Sequence, residues 1–97
     1  MPYRILSPAL IELTEAAEYY ESSVTGLGAD FIAEAEEAIS RILDFPEAWG
    51  RISKEFRHCN FRRFPYTVIY SVESPEMILI VSVFNQHREP LSWKTNL

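Results

Sequence analysis

The sequence has little from which to build a covalent or metal-held framework. Only one of its 97 residues is a cysteine, Cys59. A disulfide within the chain is thereby excluded, as is a cysteine-based metal cluster, and a lone cysteine of this kind usually packs as a small apolar residue. Three glycines are few, which argues against a disordered chain. No stretch approaches the roughly 18 apolar residues that a membrane helix requires. The opening Met1-Pro2-Tyr3-Arg4-Ile5-Leu6 is interrupted too early to read as a secretion signal. The expectations are a chain that does not use the membrane, stays in a reducing cytoplasm and needs no cofactor.

Bases are also scarce where acids are plentiful. Residues 1–50 hold ten acids and two bases, residues 51–97 four acids and seven bases, for a net charge of −5. The chain is therefore electrically two-sided, and an anionic partner would meet its second half. Set against these shortages are a 47% hydrophobic content and 13% aromatics. They suffice for one core, and the length allows one domain spanning residues 1–97.

Periodicity divides the chain into elements. Tyr3 to Leu6 reads as a short strand. Ser7 as N-cap with Pro8 behind it opens a helix, in which Leu10, Leu13, Ala17, Tyr20 and Val24 share a face. Glu12, Glu15, Glu18 and Glu21 fall on the other side and read as a solvated row. Gly26 and Gly28 supply a turn. Phe31, Ala35, Ala38, Ile42 and Phe45 then mark a second helix that Pro46 ends, with Glu37 and Arg41 spaced for an ion pair. Pro46 to Ser53 reads as a loop. Beyond it the period falls to two, which predicts strands over Glu55–Phe61, Tyr66–Val72 and Met77–Phe84. The turn between the last two lies at Glu73-Ser74-Pro75-Glu76. The order β-α-α-β-β-β predicts an α+β domain, a helical hairpin packed on a small antiparallel sheet. Leu13, Tyr20, Phe31, Ile42, Val68 and Ile80 are its expected core.

Three local patterns carry a family resemblance. Leu13 to Tyr20, followed by Gly26-Leu27-Gly28 and Phe31, resembles the opening of RelE/ParE-type toxins. Phe64-Pro65-Tyr66-Thr67-Val68-Ile69-Tyr70 is similar to that family's aromatic strand, and Ile80 to Trp93 to its last strand and exit. The resemblance implies a RelE/ParE-like fold and the toxin of a type II toxin–antitoxin (plasmid stabilisation) module. It further implies growth arrest and neutralisation by a cognate antitoxin. The target it implies is either ribosome-bound messenger RNA, cut by an endoribonuclease, or DNA gyrase, inhibited by binding. An antitoxin-binding domain that has lost toxicity is the alternative.

The sequence departs from the ribonuclease branch at several places. Asn85 stands where a histidine is common, and His58 and Asn60 stand in the two lysine places. Trp93 takes the place of a tyrosine, while Arg62, Arg88 and Pro90 match. Cleavage of RNA needs proton transfer and positive charge on the phosphate. Arg62 and Arg88 are candidates for the charge, and His58 and His87 for the protons. Arg57, Arg62 and Arg63 also read as a solvated hairpin. Tyr19 and Tyr20 read as helix-to-sheet packing and Trp93 as a cover for the core edge.

Overall fold

A computed structural model describes residues 2–73 and 76–97. Five strands are present among the described residues: β1 (Tyr3–Ile5), β2 (Gly50–Arg51), β3 (Arg57–Asn60), β4 (Tyr66–Glu73) and β5 (Met77–Asn85). Two helices, α1 (Ser7–Ser23) and α2 (Leu27–Asp44), stand between β1 and β2, and a 3₁₀ turn over Ser92–Asn96 closes the chain. Ser74 and Pro75, and with them the centre of the expected turn, lie outside the described residues.

The sheet order is β1-β5-β4-β3-β2. Pairings among β2 to β5 are antiparallel, but β1 runs parallel to β5. The sheet is therefore mixed, because the whole helical hairpin intervenes between β1 and the remaining strands. A three-residue strand gives no sign in sequence of which way its partner runs. Helix α1 begins one residue earlier than expected. Leu6 is its N-cap without a side-chain bond, and Pro8 lies in the first turn. Such one-residue shifts are ordinary at helix ends. The expected loop Pro46–Ser53 contains the short edge strand β2.

Glycine matters at the helical connection for two separate reasons. Gly26 has φ +90°, a left-handed conformation that side chains rarely adopt. At Gly28 an added Cβ would lie 2.6 Å from the Ala17 carbonyl oxygen, so the two helices approach too closely there for any side chain. The Glu21 carboxylate accepts the Gly26 and Gly28 amides at 3.0–3.1 Å and so satisfies free donors at the start of α2.

Behind the helices lies one continuous core. Phe31, Ala38, Ile42, Val68, Tyr70, Ile78 and Ile80 are fully buried in it, with Leu13 and Tyr20 packed against them. Phe31 is ringed by Tyr20, Phe61, Phe64 and Tyr66 at centroid distances of 4.8–5.4 Å, within the range of favourable aromatic contact. Burial, only partly opposed by the Arg57 charge, pushes the Tyr70 hydroxyl up to about 12. It stays protonated and donates to the Pro46 carbonyl at 2.6 Å. Leu10, Val24 and Phe45, assigned by spacing to the inner faces, are at least half exposed. They sit at helix ends or flanks, beyond the reach of the sheet.

The opposite sheet face carries a smaller cluster of Ile69, Val81, Phe84 and Trp93. Trp93 lies edge-on to Phe56 at 5.0 Å, so the C-terminal turn covers this side. Truncation of Ile80 to alanine is expected to cost about 2–5 kcal/mol in thermal or denaturant unfolding. Leu10→Ala, on an exposed position, should change stability by no more than about 0.5 kcal/mol. Equal losses for the two variants would contradict this core.

Candidate functional site

The exit of β5 is held by local hydrogen bonds. The Asn85 side-chain oxygen accepts the His87 amide at 2.9 Å, and the Asn85 carbonyl accepts the Arg88 amide at 3.1 Å. The Gln86 amide donates to the Pro65 carbonyl at 2.8 Å. This turn presents the Arg88 side chain to a cleft between α1 and the ends of β4 and β5. Glu12, Glu15, Ala16, Tyr19, Tyr66 and Asn85 line it with Arg88. Asn85 donates to the Tyr66 hydroxyl at 3.4 Å. Burial raises the Tyr66 hydroxyl above its ordinary range, and nearby Tyr20 adds to this, while Asn85 and Arg88 oppose it. Near neutral pH the cleft therefore offers one fixed cation, phenol and amide groups, and two carboxylates.

Glu12 enters this cleft from α1 and is not part of a solvated row. Its side chain is 18% exposed. Strand β1 stops at Ile5, and the last backbone bond of that seam is the Leu6 amide to the Ile80 carbonyl. Among the described residues the edge of β5 beyond it has no strand partner, and its polar groups need another. Glu12 Oε1 takes the Val83 amide at 3.1 Å and the Ser82 hydroxyl at 2.8 Å. Asn96 of the C-terminal turn donates to the same oxygen at 3.1 Å and to the Val81 carbonyl at 3.0 Å. Glu12 Oε2 faces Arg88 Nη1 at 3.8 Å.

The other sequence candidates lie elsewhere. Arg62 follows β3, and its guanidinium pairs with Glu37 of α2 at 3.1 Å. Neighbouring Arg63 pairs with Glu34 at 2.8 Å and Asp30 at 3.6 Å. Glu34 also accepts the backbone amides of Arg62 and Arg63 at 2.9 and 3.0 Å, so one carboxylate fastens the β3–β4 loop to α2. His58 is on the sheet face away from the helices, its Nδ1 3.2 Å from Asn60 Oδ1 and 3.4 Å from Thr67 Oγ1. It lines a shallow groove there with Phe84, Gln86 and Trp93. His87 is exposed on the turn before Arg88. The four candidates are thus spread over three surfaces. Tyr66 shares the cleft with Arg88. By sequence Glu12 falls in a solvated row, Tyr19 reads as helix-to-sheet packing, and Asn85 is only a departure from a histidine. Glu12 belongs to the acidic row by spacing alone; only the shortness of β1 exposes the backbone that draws it inward.

A family model for the ParE toxin of the type II toxin–antitoxin system parDE matches residues 3–90. The chain belongs to the ParE toxin family. Among solved structures, this ParE-family chain is similar to one described as "Chromosomal ParDE TA system from P. aeruginosa", with a TM-score of 0.74 and 17% sequence identity. The likeness covers 88% of this chain and 95% of that one, and at such low identity it speaks for the fold. No curated protein matches the sequence. Among the described residues, no helix of this ParE-family chain is long and apolar enough to cross a membrane.

The Glu34 clasp on the ParE-family fold has a pH signature. Burial alone would raise its carboxyl, but hydrogen bonds from the Arg63 side chain and from the two backbone amides, together with the Arg63 charge, outweigh burial and leave it lowered. A carboxyl lowered on folding stabilises fully above its unfolded value, near 4.5, and the contribution is lost as pH falls through the lower folded value. Melting temperature measured from neutral to acid pH should therefore drop less steeply for Glu34→Gln than for the parent. Parallel curves would remove Glu34 from the acid-sensitive contacts.

Proposed function

We propose that this chain arrests growth by binding DNA gyrase through the Arg88 cleft, and that a cognate antitoxin neutralises it. One observation carries this reading. Arg62 and Arg88, the two arginines suited to a phosphate, face separate helix carboxylates, His58 lies on the opposite face of the sheet from the Arg88 cleft, and His87, though next to Arg88 in the chain, does not line that cleft. A ribonuclease needs its proton donors and acceptors within hydrogen-bond reach of the phosphate that its cations hold. A binding inhibitor needs only a surface with fixed charge and aromatic anchors. Arg88, Tyr19 and Tyr66 supply those groups around one cleft. The absence of the two lysines and of the usual histidine from the sequence favours the same reading, as does membership of the ParE side of the wider family.

Neutralisation in this reading is electrostatic as well as apolar. Arg88 is half-exposed and its ion pair is loose, so an acidic side chain of an antitoxin can take it over and close the cleft. The reading is tested by incubating purified chain with gyrase in a supercoiling assay and, in parallel, with translating ribosomes and messenger RNA. Loss of supercoiling without RNA cleavage is expected, with Arg88→Ala weakening inhibition by about tenfold or more, as for an interfacial hot spot. RNA cleavage with intact supercoiling would reverse the assignment. A chain silent in both assays but still bound by its antitoxin would be the non-toxic alternative.

A further inference from the structure

Within that reading, we infer that Glu12 is the positioning residue for Arg88, and that it ties the C-terminal turn to the binding cleft. The two oxygens of this carboxylate are used differently. Oε1 accepts three donors, from Ser82, Val83 and Asn96, at 2.8–3.1 Å, which fixes the plane of the carboxylate. Oε2 is left facing the Arg88 guanidinium at 3.8 Å. The contact is long enough to orient the charge and too long to consume its donors. Arg88 itself sits on a surface turn and is 55% exposed. A long side chain there would otherwise sample many rotamers, and ordering it on binding carries an entropic cost. Glu12 lowers that cost by holding the cation over the cleft before a partner arrives.

The anchoring of Glu12 comes from the fold itself. β5 has an irregularity opposite Ile69 and Tyr70, where Ile69 pairs with Ser82 and Tyr70 with Ile80, leaving Val81 without a cross-strand partner. Bulges of this kind twist and re-aim a strand. Here the Val81 carbonyl is taken by Asn96 and the next two residues by Glu12. The C-terminal turn, anchored by buried Trp93, thus holds Asn96 against Glu12, and Glu12 faces Arg88. The ligand this cation would take is an acidic side chain on a protein partner, since a cation loosely balanced by one carboxylate readily exchanges it for another.

Glutamine at position 12 separates the two duties. Its carbonyl oxygen can accept the same three donors, while its amide turns a donor toward a guanidinium that has only donors. The experiment compares wild type, Glu12→Gln, Arg88→Ala and the double variant by thermal melting, by gyrase supercoiling inhibition, and by the NMR signal of the Arg88 Nε–Hε group. Glu12→Gln is expected to melt close to wild type, to weaken inhibition by about threefold to tenfold, and to add nothing once Arg88 is alanine, which is the signature of coupled neighbours. The Arg88 signal should shift and exchange faster with water in Glu12→Gln. If Glu12→Gln weakens inhibition equally with and without Arg88, or leaves the Arg88 signal unmoved, Glu12 is merely structural and the inference fails while the binding reading stands. If Arg88→Ala alone leaves inhibition unchanged, it is the reading of the cleft that fails. Should the chain leave gyrase untouched, the Arg88 signal alone decides.

Discussion

The burial of Phe31 in a cage of four aromatic rings is the constraint on which the rest of the molecule depends. Its ring touches Tyr20 from α1, Phe61 and Phe64 from the β3–β4 connection, and Tyr66 at the start of β4. These groups come from three separate parts of the chain, and one fully buried side chain brings them into register. Large buried aromatics contribute several kcal/mol each, about 3–5 when truncated to alanine, a large share of a small domain's total stability. Because Tyr66 belongs both to this cage and to the Arg88 cleft, packing of the core sets one wall of the candidate site. The same cage draws the β3–β4 loop against α2, where Glu34 and Glu37 collect Arg63 and Arg62.

Periodicity proved most informative where a face is buried along its full length. Phe31, Ala35, Ala38 and Ile42 lie under the sheet as their spacing requires, and Val68, Ile78 and Ile80 face them. The rule weakened at element ends. Leu10, Val24 and Phe45 continue the apolar pattern but outrun the surface they would pack against. The mixed sheet was beyond reach for a different reason. Strand direction is decided by which distant segment supplies a partner, and Tyr3–Ile5 is too short to carry that information. β2 was missed because two residues make no period at all, and it exists through its pairing with His58 and Arg57.

The site was legible only in part. Arg88 could be singled out because it follows an apolar strand and precedes Pro90, and the structure does place it on a braced turn beside a cleft. His58, Arg62 and His87 could not be sorted by sequence: alternation in the four-residue β3 says nothing of which face His58 takes, and Arg62 and His87 lie on connections, which have no period. The glutamates are the clearest lesson. Spacing puts Glu12, Glu15, Glu18 and Glu21 in one row, yet Glu12 satisfies the uncovered edge of β5 and Glu21 the start of α2. Unpaired backbone groups reassign side chains that composition would leave in water, and such groups become visible only when the strands have partners.

On the binding reading, the cleft of this ParE-family chain works through fixed charge and aromatic surface, with no proton transfer. The most direct measurement is growth arrest on induction at matched protein levels, comparing a His58→Ala/His87→Ala double variant with Arg88→Ala. On that reading the histidine-free chain arrests growth as the parent does, whereas Arg88→Ala loses most of the effect. Loss of arrest in the histidine-free chain, with its fold intact, would contradict it and return the histidines to the chemistry.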